Sequence, residues 1–123
     1  NKIINMEIKK TGKLFSFCCV APLILSKNGT DIGKFYKLGS DIGLLFQITD
    51  DLIDFRGSSS KAGKKTKKDN KKGKATLISL IGYKNTINYS INLKNKIFSK
   101  LNSFGKRANN VKNTIDFILE RKK

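Results

Sequence analysis

The stretch Phe46-Gln47-Ile48-Thr49-Asp50-Asp51-Leu52-Ile53-Asp54 gathers acid among apolar residues, in a chain that is otherwise strongly basic. On a helix advancing roughly 100° per residue, Gln47, Asp50, Asp51 and Asp54 fall within one arc of about 100°. Leu44, Leu45, Ile48, Leu52 and Phe55 fill the neighbouring arc, and Phe46 and Ile53 the far side. A surface helix shows a broad polar side, so this narrow acidic arc is expected to line a cavity rather than to face bulk water. Buried like charges repel and require a compensating cation or shifted pKa values. Hard oxygen ligands at this spacing suit Mg²⁺, which takes one or two carboxylates, several waters and a substrate phosphate. Asp50, Asp51 and Asp54 are therefore candidate metal ligands.

A long helix has to carry that arc. Thr30 or Asp31 can cap it, and its pattern runs to about Phe55. Tyr36, Ser40 and Gly43 lie on the same arc as the carboxylates, and Gly39 and Gly43 interrupt the helix. Small side chains there either leave room for a ligand or let another helix pack closely. Upstream, Asn1 to about Leu25 reads as mostly helix, with Ile4, Ile8, Leu14, Phe15, Cys18 and Cys19 near helical spacing and Gly12 a weak point, and Ser26 to Thr30 makes a turn. Downstream, residues 57–73 turn to Ser, Gly and Lys without apolar periodicity and read as a mobile basic loop. Its default state is a solvated charge run, yet a lysine-rich loop directly after an Mg²⁺ site is also suited to fold over an anion. The spacing of Gly63-Lys64 and Gly73-Lys74 excludes a phosphate-binding P-loop. A short apolar helix from Lys74 ends at Gly82. Asn85 to about Phe104 follows, with Ile87, Ile91, Ile97, Phe98 and Leu101 as core stripe. The last helix, from about Arg107 to Glu120, turns Val111, Ile115, Ile118 and Leu119 inward. No strand alternation or internal repeat is visible, and the class is all-α.

The 123 residues suffice for one core. The run from Leu14 to Leu25 is too short to span a bilayer, and no secretory signal precedes it. Adjacent Cys18 and Cys19 cannot easily pair with each other. With no histidine to complete a zinc set, they are expected to be buried thiols in a reducing cytoplasm. A net charge of +17 suggests nucleic acid or an anionic membrane as partner. Almost all the basic residues are Lys, however, and Asn and Ile abound with them. A base bias toward A/T-rich codons explains that pattern more simply than a nucleic-acid footprint does.

Taken together, Lys10-Thr11-Gly12-Lys13-Leu14, the stretch from Phe46 to Asp54, Gly63-Lys64, Asp69 and Gly73-Lys74-Ala75-Thr76 resemble the trans-isoprenyl diphosphate synthases, the farnesyl and geranylgeranyl diphosphate synthases. The resemblance covers essentially the whole chain. It implies the C-terminal part of the isoprenoid synthase helical bundle, with Mg²⁺ at its mouth, which joins an allylic diphosphate to isopentenyl diphosphate. It implies that Asp50, Asp51 and Asp54 are the second aspartate-rich motif, Asp50 being the expected direct ligand. Lys10 and Lys64 would hold the allylic diphosphate, with Lys74 near the same phosphates, and Thr11 and Gln47 would flank the reacting carbon. Family members are usually homodimers. The first aspartate-rich motif, a paired arginine and the isopentenyl diphosphate contacts have no counterpart in these residues. The chain is therefore expected to be an inactive C-terminal fragment, and product length cannot be read from it.

Other readings stay open at this point. A terpene cyclase or squalene synthase relative would share the helices and the Mg²⁺ chemistry, but not the Phe-Gln before Asp-Asp-x-x-Asp together with Gly-Lys-x-Thr. A supporting, non-catalytic subunit of a prenyl synthase would carry these residues without turning over. A small basic helical nucleic-acid-binding protein would show binding that falls steeply with salt and ignores Mg²⁺.

Overall fold

Ordered by its helices, the computed structural model describes residues 2–27, 31–61 and 76–121. The elements are α1 (Lys2–Glu7), a π-helical turn (Ile8–Gly12), α2 (Lys13–Leu25), α3 (Ile32–Lys61), α4 (Leu77–Ile81), α5 (Tyr83–Asn102), a 3₁₀ turn (Gly105–Ala108) and α6 (Asn109–Glu120). Among the described residues there is no strand, and the fold is all-α. No described helix is long and apolar enough to cross a membrane.

The central element is α3. Leu38, Ile42, Leu44, Leu45, Ile48 and Leu52 are buried along it, and they meet Leu77 and Ile78 of α4, Leu93, Ile97 and Leu101 of α5, and Ile115 and Ile118 of α6. The helix runs past Phe55 to Lys61, so the expected loop from Gly57 begins later than composition implies. Extending an existing helix requires only one further hydrogen bond per residue fixed, which lets weak helix formers continue it. The rest of that loop, with Lys64 and Lys74, lies outside the described residues.

The glycines of α3 settle the question they raised. A methyl group on Gly39 would lie 2.5 Å from the Phe15 carbonyl oxygen, and one on Gly43 would lie 2.7 Å from the Gly12 Cα. Both positions are close helix contacts with α2 and the π turn, and they leave no room for a ligand. Ser16, fully buried, reinforces the crossing by donating to the carbonyls of Gly12 (2.8 Å) and Tyr36 (2.9 Å).

Burial corrects three other expectations. On α2, Leu14 (64 % exposed), Phe17 and Cys18 face outward, and Cys19 is only partly covered. Both thiols are free, but they are not a buried pair. This helix is apolar nearly all round, so periodicity could not select its inner face; the small residues Gly12 and Ser16 select it. On α5 the buried line is Thr86, Ser90, Leu93, Ile97 and Leu101, while Ile91 is exposed. Thr86 and Ser90 can lie inside because their hydroxyls donate to the carbonyls of Gly82 and Ile87 within the same helix. On α6 Ile115 and Ile118 are buried, but Val111 is exposed. Thr76 caps α4 reciprocally with Ser79, and Gly82 ends it at φ 81°, a left-handed value that suits glycine.

Candidate functional site

Five residues between Glu7 and α2 wind as a π turn, closed where the Lys13 amide donates to the Ile8 carbonyl. Widening one turn rotates the chain that follows it relative to the chain before, and such turns are frequent at functional sites. Here the turn lies against α3 through the Gly12–Gly43 contact. That contact brings Lys10 and Thr11 beside the acidic arc. The Thr11 hydroxyl donates to Gln47 Oε1 at 2.8 Å, and Gln47 Nε2 donates to Asp51 Oδ1 at 3.2 Å. Gln47 is 5 % exposed, so a buried amide is satisfied on both sides and held in one orientation. Three of the expected site residues are thus one hydrogen-bonded line across two elements.

Asp51 has a second neighbour that the sequence reading did not include. Glu7, the last residue of α1, is 3 % exposed and hydrogen-bonds Asp51 side chain to side chain. Burial pushes the Glu7 carboxyl up to about 7, with the Asp51 charge adding to the rise and Lys10 opposing it. Burial also raises Asp51, against the stabilising hydrogen bonds from Gln47 and Glu7 and the nearby charge of Lys10. Both carboxyls are thus raised by burial, and the pair holds a proton readily. The one signal in the sequence was that Glu7 is the single acid before Asp31.

Asp50 lies at the other edge of the arc and is engaged by Arg121, just beyond α6. The same guanidinium donates to the Phe46 carbonyl (3.4 Å) and stacks 4.1 Å from the centre of the Phe46 ring. Phe46 in turn packs on Phe15 with ring centres 5.5 Å apart. Phe46, Asp50 and Arg121 form one unit because Phe46 and Asp50 are one helical turn apart. Arg121 was another residue missed from sequence, where its rarity among lysines was its only mark.

Contrary to expectation, the arc does not line an enclosed cavity throughout among the described residues; burial falls along it. Gln47 is buried, Asp50 and Asp51 are half-buried and Asp54 is exposed. Two described cavities, of about 560 and 310 Å³, lie around Phe35 and Phe104, more than two turns up α3 from Asp50. Among the described residues no three Asp, Glu or Cys side chains converge as a ready-made metal cage. The donors nevertheless fit Mg²⁺: they are all carboxylate oxygens, the ion needs only one or two from protein, and one buried carboxylate oxygen, Glu7 Oε2, has no hydrogen-bond partner. Lys10 is exposed beside these carboxylates, where its ammonium can reach a bound anion.

Comparison with known proteins gives one family. The sequence model of the polyprenyl synthetase family matches residues 1–118. The farnesyl diphosphate synthase of Micrococcus luteus is 31 % identical over 124 aligned residues, spanning 100 % of this chain and 43 % of that protein. The farnesyl diphosphate synthase of Bacillus subtilis is 37 % identical over 91 residues, 71 % of this chain and 31 % of that protein. The geranylgeranyl diphosphate synthase of Cyanophora paradoxa is 31 % identical over 117 residues, 94 % of this chain and 39 % of that protein. The chain thus spans less than half the length of the relatives it matches. No solved structure gives a significant match.

Proposed function

The chain belongs to the polyprenyl synthetase family, and we propose that it is the C-terminal portion of an Mg²⁺-dependent prenyltransferase that joins an allylic diphosphate to isopentenyl diphosphate. The observation that carries this reading is the Thr11–Gln47–Asp51 line, which joins a lysine-bearing π turn to an acidic helix face.

Asp50, Asp51 and Asp54 would hold Mg²⁺, which supplies concentrated positive charge to a pyrophosphate leaving group. Lys10 adds a charge aimed at the same anion from the turn, and Lys64 and Lys74 are proposed to close on it from the segment outside the described residues. Expelling pyrophosphate leaves an allylic cation, so charge placed in advance on the anion's side lowers the barrier. The other side must offer that cation no free water. Thr11 and Gln47 suit this, because their oxygens are fixed by one another and by Asp51. Phe15 and Phe46 supply adjacent apolar surface. The homodimeric assembly, the cytoplasmic location and the inactivity of this portion by itself belong to the same proposal.

Calorimetric titration with inorganic pyrophosphate, in Mg²⁺ and then in a chelator, tests it. Pyrophosphate binding that requires Mg²⁺ and weakens at least tenfold in Lys10→Ala and Asp54→Asn is the expected result. Binding indifferent to Mg²⁺, or prenyl transfer by this chain alone, contradicts it.

A further inference from the structure

Glu7 carries a feature that the resemblance does not. It is the one ionisable residue among the buried polar side chains of the described structure; the others are Ser16, Gln47, Thr49, Thr86 and Ser90. Those five are uncharged, and Glu7 is 3 % exposed with Oε2 buried; its side-chain neighbour is another carboxyl, Asp51, so no described donor satisfies Oε2 when both are ionised. A buried carboxylate oxygen without a partner is costly, and an ion is one of the few agents that can satisfy it. Glu7 also points at Asp51, since the two side chains share a hydrogen bond. Lys10, one turn along, lies near enough to influence both carboxyls, but it is exposed and supplies no hydrogen bond to Oε2.

We propose that Glu7 is a further oxygen ligand of the divalent cation held by the α3 carboxylates, forming with Asp51 a cation site shared between α1 and α3. The inference rests on the reading of the α3 face as cation-binding, and it adds a ligand from a second element. Two carboxylates from different segments, with waters and a substrate phosphate completing the sphere, match what Mg²⁺ accepts. Gln47 holds Asp51 from the side of Thr11, so Asp51 is presented to Glu7 in a fixed orientation. A cation there ties the start of the chain to its central helix. It therefore steadies the π turn that carries Lys10 and Thr11 and couples metal binding to anion binding.

The test measures Mn²⁺ affinity by electron paramagnetic resonance and the Mg²⁺-induced rise in melting temperature, for the unmodified chain, Glu7→Gln, Glu7→Asp and Asp54→Asn. Glu7→Gln keeps size and hydrogen-bonding capacity but removes the anionic oxygen. We expect at least tenfold weaker Mn²⁺ binding and loss of most of the Mg²⁺-induced rise, with unchanged far-ultraviolet dichroism. Glu7→Asp keeps the charge but withdraws it by one methylene, and an intermediate loss is expected; this variant decides the matter if Glu7→Gln does not fold. Binding that is unchanged in the Glu7 variants but weakened in Asp54→Asn overturns the role of Glu7 and leaves the α3 face standing. Absence of Mn²⁺ binding by the unmodified chain overturns both.

Discussion

Gly43→Ala tests the contact on which the site geometry depends. The added Cβ would sit 2.7 Å from the Gly12 Cα, 3.1 Å from the Gly12 nitrogen and 3.1 Å from the Phe15 Cβ. Two of these neighbours are backbone atoms, which cannot swing aside as the end of a side chain can. Forcing a methyl group into a packed contact of this kind costs about 1–3 kcal/mol. Alanine in place of glycine inside a helix returns about 1 kcal/mol of propensity. Because the close neighbours are backbone atoms, repulsion should win, for a net loss of up to about 2 kcal/mol. Gly57→Ala is the control in the same helix, since a methyl group there meets no atom of the described residues within 4 Å. It should gain about 0.5–1 kcal/mol from propensity alone. Urea unfolding resolves the difference: with a slope of about 2 kcal/mol per M, the two midpoints should separate by roughly 1 M. Because the push falls on Gly12, Gly43→Ala should also weaken Mg²⁺-dependent pyrophosphate binding, whereas Gly57→Ala should not. If Gly43→Ala proves as stable as Gly57→Ala, then the two helices do not touch there, and the space is available to a ligand after all.

Three further outcomes can be checked. Glu7 binds a proton more tightly folded, with a pKa of about 7, than unfolded, at 4.5. In chelator its stabilising contribution is complete below pH 4.5, is lost as pH rises toward 7, and amounts to about 3 kcal/mol at most. Melting temperature should fall across that window in the unmodified chain and run flatter in Glu7→Gln; parallel profiles contradict the assignment. Arg121→Met removes the partner of Asp50 and the stack on Phe46. Since the Asp50 side chain is 40 % exposed, a loss of about 1–2 kcal/mol is expected, and a double-mutant cycle with Asp50→Asn should show coupling rather than additivity. Iodoacetamide should label exposed Cys18 first. Burial and the neighbouring Cys18 raise the Cys19 thiol, so equal rates in the folded chain would contradict its placement.

The all-α class was legible because helical periodicity is repeated in every long segment, and the acidic arc was legible because four side chains at fixed spacing define one face. The line Thr11–Gln47–Asp51 joins two residues that the resemblance placed beside one reacting carbon to a third that it placed at the metal, although spacing alone could not bring position 11 to position 47. Three things stayed hidden for physical reasons. The inner face of α2 is chosen by small residues at a crossing, which leave no periodic trace in a run that is apolar all round. Thr86 and Ser90 enter the core on hydroxyls that bond their own helix, so polarity gave the wrong sign. Glu7 and Arg121 act through contacts made across the fold, 44 and 71 positions from Asp51 and Asp50 along the chain.

Those last two contacts show how a basic protein keeps an acidic face in place. Asp50 is countered by a guanidinium from the end of the chain, and Asp51 by a carboxyl, an amide and a lysine charge from its beginning and middle. The two solutions are opposite in kind: Arg121 sets a positive charge against Asp50, whereas Asp51 meets another buried carboxyl, Glu7, with which it shares a proton. A dication arriving at the arc therefore meets unlike resistance at its two edges. Beside Asp50 it must compete with a fixed positive charge that is also anchored by an aromatic ring. Beside Asp51 the neighbouring positive charge, Lys10, sits on an exposed side chain, and the dication gains a second carboxylate. That asymmetry favours the Asp51 edge, beside Lys10 and Thr11, as the place where a cation and a bound diphosphate would meet. It also makes the whole span from Glu7 to Arg121 necessary to the electrostatics of one helical turn.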